Sequence, residues 1–267
     1  MADILEQIVA RKRVELEEQK QKVSYHELEQ QVDLLLSHQS CATTPHRSMR
    51  QSLAQSPYGI IAEFKRKSPS KGWIKEEGKP EIIPPSYAAN GASVCSILTN
   101  EHYFGGCLEF IEIARPLTPI PILRKEFTID EYQLLEARLV GADAVLLIAA
   151  DLTIDECKRL AHFSHELGLE TLLETHQESE MDYLNDDIDM VGVNNRNLGT
   201  FVTQVENSFR LAEKLPANIL KVSESGISNP KTVRELREVG FRGFLMGECF
   251  MKEANPGEAL KQFISKI

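Results

Sequence analysis

From Gly59 onward, short apolar runs rich in β-branched residues alternate with amphipathic segments of helical periodicity. Strands that alternate with helices in this way are typical of βαβ units in a parallel sheet. The spacing between runs, very roughly 20 to 35 residues, leaves room for one crossover helix each. There are eight runs: Ile60–Phe64, Val94–Leu98, Ile120–Leu123, Ala144–Ile148, Glu170–Leu173, Met190–Val193, Leu220–Val222 and Gly243–Met246. The pattern predicts an α/β fold, a single (β/α)8 TIM barrel.

The crossover helices are clearest at Asp130–Val140, Thr153–Leu167, Val205–Leu215 and Pro230–Val239. A doubly wound sheet of the Rossmann or flavodoxin type is the alternative, but it needs only five or six strands and a glycine-rich turn after the first. Here the turn after the first run, residues 65–70, has no GxGxxG spacing. The closed barrel is therefore favoured.

The first fifty residues carry helical periodicity without strand signals, with apolar residues at Ile4, Leu5, Ile8 and Val9 before a charged stretch. We expect residues 1–50 to form a helical extension within the same domain as the barrel of residues 51–267. The polar and irregular stretch Cys41–Tyr58 is expected to join the two parts.

Composition excludes several classes of protein. The five cysteines are scattered without a CxxC pair, which indicates reduced thiols and neither a disulfide framework nor a metal site. The longest apolar run, Ala144–Ala150, is far shorter than the roughly 18 residues of a membrane helix. The N-terminal segment lacks the apolar core of a signal peptide, and the net charge of −10 disfavours nucleic acid. We expect a cytoplasmic protein that binds neither membrane nor nucleic acid.

Unusual polar residues follow the predicted strands at the end where barrel enzymes place their active sites. Alternation along the first strand sends Glu63 and Lys65 to the barrel mouth and Phe64 outward. Each of these residues, taken alone, could belong to a structural ion pair or to a turn. Because several strands place such residues at the same end of the barrel, a functional site is favoured. The others are Lys125, Glu174, Asn194, Arg196, Glu224, Ser225, Gly226, Gly247 and Glu248.

The pairs Ser225-Gly226 and Gly247-Glu248 follow the seventh and eighth strands. In many barrels the backbone N–H groups of these two loops bind a phosphate, and glycine lets the backbone approach it closely. We therefore expect a small phosphorylated substrate. The basic stretch KRKSPSK (65–71) could instead be a nucleic-acid patch, which salt-dependent DNA binding would reveal.

Several strings along the chain together resemble the indole-3-glycerol-phosphate synthase family of tryptophan biosynthesis, and the resemblance runs from the N-terminal helix to the end. The resemblance implies ring closure of 1-(2-carboxyphenylamino)-1-deoxyribulose 5-phosphate, with loss of CO2 and water, without metal or organic cofactor. It also implies that the helical extension folds over the barrel mouth. The strings are IAEFKRKSPSKG (61–72), ILTNEHYFGG (97–106), PILRKEF (121–127), GADAVLLI (141–148), ETLLETH (170–176), VGVNNRNL (191–198), VSESGI (222–227) and MGECFM (246–251).

By this resemblance, Lys125 is the general acid that protonates the ribulose carbonyl. Glu63 and Glu174 resemble the carboxylates that position the amine and remove a proton during dehydration, and Lys65 resembles the lysine that binds the substrate carboxylate. Which carboxylate is the base, and whether Lys65 or Lys125 donates each proton, stays open. Substrate contacts are implied at Ser68, Asn194, Arg196 and Glu224, an apolar slot for the ring at Phe104, Phe127 and Leu198, and phosphate loops at Ser225, Gly226, Gly247 and Glu248.

Elementary electrostatics suggests how these groups would titrate. Burial and cationic neighbours such as Arg124 or Lys65 are expected to bring the pKa of Lys125 toward neutrality, as a general acid requires. Two carboxylates in one site are expected to push their pKa values apart.

Two residues depart from the family pattern. Asn100 and Glu126 stand where an acidic residue and an aspartate are usual, and Asn100 leaves open how the loop bearing Phe104 is held. The rival readings are phosphoribosylanthranilate isomerase, which relies on a cysteine and an aspartate, and a non-catalytic phosphate-binding barrel, which would not need Lys125 and Glu174. A monomer or weak homodimer is expected.

Overall fold

The computed structural model describes residues 4–39, 47–197, 199 and 202–267. Eight parallel strands form a closed barrel in which each strand pairs with the next along the chain and the last pairs with the first. This confirms the predicted (β/α)8 barrel. The strands are β1 (Ile60–Phe64), β2 (Val94–Leu98), β3 (Ile122–Lys125), β4 (Ala144–Ile148), β5 (Glu170–Thr175), β6 (Met190–Asn194), β7 (Leu220–Glu224) and β8 (Phe241–Met246).

The predicted position of the third strand is wrong. The predicted range, Ile120–Leu123, is two residues early, because Pro121 has no N–H to donate to the ladder and contributes only its carbonyl, to Cys95. Strands β5 and β7 also run further than predicted. As a result Lys125, Glu174 and Glu224 lie within strands, so their backbones are held by the barrel itself.

Helices cover the outside of the barrel, and their ends carry side-chain caps. Asp130 and Thr153 each form a reciprocal capping box, and Asn229 caps the helix that Pro230 begins. The helices are α1 (Ile4–Lys22), α2 (Tyr25–Gln39), α3 (Met49–Gln55), α4 (Ile83–Ala89), α5 (Glu101–Phe104), α6 (Glu109–Ala114), α7 (Glu131–Leu139), α8 (Ile154–Glu166), α9 (Glu206–Ala212), α10 (Pro230–Glu238), α11 (Glu248–Met251) and α12 (Pro256–Ile264). Short 3₁₀ turns lie at Arg115–Leu117, Ala149–Asp151 and Glu178–Tyr183, and a small hairpin pairs Lys67–Ser68 with Gly72–Trp73.

The N-terminal helices cover opposite ends of the barrel. Residues of α1, among them Leu5 and Ile8, line the cavity at the mouth. This is the position over the mouth that the family resemblance implies for the helical extension. Helix α3 instead closes the N-terminal end, where Ser52 donates a hydrogen bond to the carbonyl of Ser93, just before β2. The expectation of an irregular connection over Cys41–Tyr58 is therefore wrong over Met49–Gln55, which is helical; Cys41 itself lies outside the described residues.

The barrel holds two apolar layers. The outer one lies between strands and helices and includes Phe64, whose ring meets Phe110 edge to face at 5.6 Å. The inner one fills the barrel with inward residues of the strands, such as Ile61, Leu172 and Val222, and with Met49 and Leu53 of α3. Helix α3 thus completes the barrel core. Within the described part of the chain, no helix is long and apolar enough to cross a membrane.

Leu53 offers a test of this arrangement, because it is fully buried in the inner layer. We expect Leu53→Ala to lower the free energy of unfolding by about 2–5 kcal/mol, since a cavity would remain where α3 meets the barrel. The control is Leu34→Ala, at a leucine of α2 that is 60% exposed, which should change stability by less than about 0.5 kcal/mol. Urea denaturation of both variants measures the difference. Equal stabilities would show that α3 is not part of the core.

Candidate active site

A cavity of about 510 Å³ opens at the C-terminal ends of the strands. All the predicted site residues that the structure describes line it, and residues of α1 cover one side. Leu198, the remaining predicted residue, lies outside the described part of the chain. The lining residues from the prediction are Glu63, Lys65, Ser68, Phe104, Lys125, Phe127, Glu174, Asn194, Arg196, Glu224, Ser225, Gly226, Gly247 and Glu248.

Lys125, on β3, lies between two carboxylates, one from β5 and one from β7. Its Nζ is 2.6 Å from Glu174 Oε2 and 2.9 Å from Glu224 Oε2. Burial lowers the pKa of Lys125, but the charges of Glu174, Glu224 and Glu63 outweigh burial and raise that pKa above its ordinary value. The expectation of a pKa near neutrality is therefore wrong.

Of the two cationic neighbours invoked for that expectation, Lys65 pairs with Glu63 and Arg124 does not face Lys125. Strand alternation turns Arg124 outward, where its guanidinium contacts Glu136 at 3.0 Å and donates a hydrogen bond to Thr99. Arg124 therefore pairs with a helix of the outer layer. Lys125 is instead a protonated ammonium ion in an acidic site.

Glu174 and Glu224 both contact Lys125, and their pKa values differ. Burial raises the pKa of Glu174, but the charges of Lys125 and His176 and a hydrogen bond from Asn194 bring it down to about 2. Burial and the charge of Glu174 raise the pKa of Glu224 to about 8, against the opposing effect of Lys125. Near neutral pH, Glu174 is ionised and Glu224 is protonated.

The expected divergence of two carboxylates is thus found, but in a different pair from the one that sequence singled out. Glu63 forms its own ion pair, with Lys65 Nζ at 2.6 Å from Glu63 Oε1. Both Glu63 and Lys65 line the cavity, as strand alternation predicts.

Two glycines leave the space that these carboxylates occupy. A Cβ at Gly192 would lie 2.1 Å from Glu224 Oε1, and a Cβ at Gly247 would lie 2.6 Å from Glu63 Oε1. Gly192 was not selected from the sequence, although a glycine within a predicted strand is a recognised sign of close approach. Gly247, expected only in a phosphate loop, also makes room for Glu63.

The loop after β7 has an unusual backbone. Ser225 and Gly226 both have positive φ, at 68° and 75°. Ser225 is the non-glycine residue with this conformation among the described ones, and such strain costs of order 1–3 kcal/mol. Asn195, buried and not selected from the sequence, holds the loop through a hydrogen bond from Nδ2 to the carbonyl of Ser225 at 3.1 Å. Strain of this kind is typical of ligand sites.

Arg196 reaches across the mouth to the loop after β1. Its Nη1 donates a hydrogen bond to Ser70 Oγ at 3.1 Å, and its Nε donates one to Thr203 Oγ1 at 3.3 Å. Lys71 of the same β1 loop lies 3.8 Å from Glu248. In the sequence, Lys71 is part of the basic stretch KRKSPSK (65–71), which could have been a nucleic-acid patch. The structure places Lys71, Ser70 and Thr203 at the cavity.

Phe104 and Phe127 form an aromatic pair on one wall, with ring centroids 6.0 Å apart. Phe104 is the last residue of α5, whose N-terminus is capped by the Asn100 side chain. A flat apolar ring between such walls would be held by contact rather than by hydrogen bonds. Among the described residues, no group of three or more His, Cys, Asp or Glu side chains is suited to hold a metal ion.

Solved structures of low sequence identity share this fold. Thiamine phosphate pyrophosphorylase from Pyrococcus furiosus matches with a TM-score of 0.60 at 16% identity, covering 82% of this chain and 97% of that one. KGPDC from Streptococcus mutans matches with a TM-score of 0.60 at 15% identity, covering 78% of this chain and 95% of that one. At such identities the likeness shows the barrel fold alone.

Comparison of amino-acid sequences identifies a family, which the likeness of folds does not. The family model described as indole-3-glycerol phosphate synthase matches residues 5–263. The indole-3-glycerol phosphate synthase of Bacteroides thetaiotaomicron is 57% identical over 267 residues, which is the whole of both chains. That of Acidithiobacillus ferrooxidans is 41% identical over 266 residues, 98% of each chain. This chain, with a lysine between two carboxylates in a barrel mouth, belongs to the indole-3-glycerol phosphate synthase family.

Proposed function

We propose that this protein, a carboxy-lyase of its family, closes the ring of 1-(2-carboxyphenylamino)-1-deoxyribulose 5-phosphate to give indole-3-glycerol phosphate, CO2 and water. The single observation that carries the proposal is the protonated Lys125 held between Glu174 and Glu224 inside the cavity. A proton donor fixed in this way can act on a carbonyl oxygen without first being ordered.

In the first step, a bond forms between the aryl carbon that bears the carboxylate and the carbonyl carbon of the ribulose chain. Lys125 gives its proton to the carbonyl oxygen, which becomes a hydroxyl group. The carboxylate then leaves as CO2, and the electrons of its bond restore the aromatic ring. Glu224, protonated near neutral pH and 2.9 Å from the same nitrogen, resupplies the proton to Lys125.

In the second step, the new hydroxyl group leaves as water and a double bond forms in the five-membered ring. Lys65 and Glu63 suit this step because their 2.6 Å contact makes one acid and one base available side by side. Lys65 donates a proton to the departing hydroxide, and Glu63 removes the proton from the adjacent carbon. Glu174, already engaged by Lys125 and Asn194, orients the amine.

The rest of the cavity suits the two ends of this substrate. Phe104 and Phe127 contact the aromatic ring, while Ser68, Lys65 and Arg196 provide donors and positive charge for the substrate carboxylate. The strained loop at Ser225-Gly226 and the neighbouring Gly247-Glu248 receive the phosphate. The substrate class, a small phosphorylated molecule, is common to the family.

The isomerase reading has a specific difficulty in this cavity. Cys249 is a cysteine that lines it, but burial raises its pKa to about 12. A catalytic cysteine acts as the thiolate, so a lowered pKa would be needed. The structure therefore favours the lysine chemistry.

We also propose that residues 1–50 and 51–267 form one domain, supported by the packing of α1 at the mouth and of α3 in the barrel core. A cytoplasmic location is a further proposal, supported by the free thiols of Cys95, Cys107, Cys157 and Cys249. The expected monomer or weak homodimer stays a proposal. Size-exclusion chromatography with light scattering tests the oligomeric state.

The proposed function is tested by incubating the purified protein with the carboxyphenylamino-deoxyribulose phosphate and following indole fluorescence and CO2 release. Both signals should appear in equal amounts. Turnover of phosphoribosylanthranilate, or binding of the substrate without either signal, would favour one of the rival readings instead.

Lys125→Met should lower kcat by about 10²- to 10⁴-fold, because methionine keeps the side-chain length and cannot donate a proton. Lys214→Met, which removes an exposed ion pair with Glu178 on the surface, is the control and should keep normal turnover. Steady-state kinetics with a thermal melt of each variant provides the measurement. Near-normal kcat for Lys125→Met would transfer the acid role to Lys65.

Glu224→Gln should change the pH profile. Because the pKa of Glu224 is raised to about 8, the carboxyl group is protonated below that pH and loses its proton above it. In the parent protein, kcat/KM should fall as the pH rises through about 8, since a charged Glu224 cannot resupply Lys125. In Glu224→Gln the activity should be lower and this alkaline limb absent. An identical limb in the variant would assign that titration to another group; Glu178→Gln is the surface control.

Gly226→Ala should raise KM about tenfold, about 1.4 kcal/mol, by displacing the proposed phosphate loop. Gly226 has a φ of 75°, and a Cβ there would lie 2.5 Å from Thr203 Cγ2. Gly168→Ala is the matched control, because Gly168 has a φ of 71° with no atom near its Cβ position and lies away from the cavity. Kinetics on both variants separates loop displacement from backbone strain. If Gly226→Ala and Gly168→Ala have equal KM values, the phosphate is bound elsewhere.

A further inference from the structure

Glu126 is a buried carboxylate, 3% exposed, that joins three separate parts of the chain. It accepts hydrogen bonds from the backbone N–H of Phe127 at 2.9 Å and from Thr99 Oγ1 at 3.2 Å. Asn100 Nδ2 and Lys12 Nζ, each at 3.3 Å, are its other donors. A buried charge with this many donors from distant segments fixes their relative positions.

Two of these donors control the aromatic pair at the cavity wall. The backbone N–H of Phe127 donates a hydrogen bond to the Glu126 side chain. Asn100 caps α5, the short helix that ends at Phe104. Asn100 Oδ1 accepts from the backbone N–H of Tyr103 while its Nδ2 donates to Glu126, so the cap and the carboxylate are linked. Glu126 therefore binds both of the segments that carry the two rings. This also shows how the loop bearing Phe104 is held.

The other donor comes from the helix that covers the mouth. Lys12 is 6% exposed, and its ammonium is shared between Glu126 and Glu15, the latter at 2.9 Å. Leu5 and Ile8 precede Lys12 by seven and four residues, so all three lie on one face of α1. Leu5 and Ile8 line the cavity. Movement of α1 away from the mouth would leave the charge of Glu126 buried and unpaired, which is costly.

We propose that Lys12 and Glu126 are positioning residues that couple the seating of α1 to the separation of Phe104 and Phe127, and so set the affinity for the aromatic ring of the substrate. The inference rests on the proposed function, because the substrate of that function carries the aromatic ring. Neither residue has a part in the proposed chemical steps. Their effect is confined to the aromatic end of the cavity, since Glu126 makes no contact with the loops at Ser225-Gly226 and Gly247-Glu248 among the bonds formed by the described residues.

A second ion pair of α1 provides the control. Lys20 Nζ lies 2.8 Å from Asp130 Oδ2, also between α1 and the segment after β3. This pair is partly exposed, with 28% of the Lys20 side chain accessible, and Asp130 caps α7 instead of contacting the aromatic wall. Loss of Lys20 should therefore leave the Lys12–Glu126 pair intact, so that α1 stays seated over the mouth and the rings keep their separation.

The test compares Lys12→Met, Lys12→Arg and Lys20→Met with the parent protein. Calorimetry measures the dissociation constants of anthranilate, which represents the ring, and of inorganic phosphate, and steady-state kinetics gives KM and kcat. Lys12→Met should weaken anthranilate binding and raise KM about tenfold, with phosphate binding unchanged within about twofold. Lys12→Arg should restore both values to within about threefold of the parent, and Lys20→Met should stay within about twofold.

The proposal is overturned if Lys12→Met leaves anthranilate binding unchanged, if it weakens anthranilate and phosphate equally, or if Lys20→Met has the same effect. Glu126→Gln, which keeps an acceptor but removes the charge, gives the same comparison if Lys12→Met does not fold. A parent protein that binds anthranilate without turning over the full substrate would refute the proposed function, while the binding data would still decide the coupling. A parent that does not bind anthranilate would overturn the coupling itself.

Discussion

The ion cluster of Lys125, Glu174 and Glu224 is the constraint on which the rest of the site depends. A lysine and two glutamates are removed from water here, and the charge of Lys125 is tolerated because Glu174 and Glu224 both lie within hydrogen-bonding distance of its Nζ. Three different strands supply them, so the cluster exists only in the closed barrel. The same electrostatics separates the pKa values of the two carboxylates and keeps the lysine protonated, as the proposed roles of acid and proton source require.

Space for these groups is created by the absence of side chains elsewhere. Gly192 lies beneath Glu224, and Gly247 lies beside Glu63, at distances that no Cβ could occupy. The positive φ of Ser225 and Gly226 then turns the next loop toward the same cavity. Backbone conformation and electrostatics therefore act together, since a displaced carboxylate would lose its partner lysine.

The helices that precede β1 contribute to both the barrel core and the cavity. Helix α3 adds Met49 and Leu53 to the barrel interior at one end, while α1 brings Leu5 and Ile8 to the cavity at the other. The buried pair of Lys12 and Glu126 ties α1 to the strand that carries Lys125. A helical segment outside the eightfold repeat thus contributes to the core and to the site at once.

The sequence by itself determined the barrel, because eight apolar runs at crossover spacing admit few other folds, and it identified the residues at the strand ends that line the cavity. Only the tertiary structure decided how they pair. Whether Glu63 or Glu224 meets Lys125 depends on register around a closed sheet, and the neighbour Arg124 turns away through strand alternation. The position of α3, the space at Gly192 and the reach of Lys12 to Glu126 were likewise undetermined, because contacts between residues far apart in the chain leave no periodic signal in the sequence.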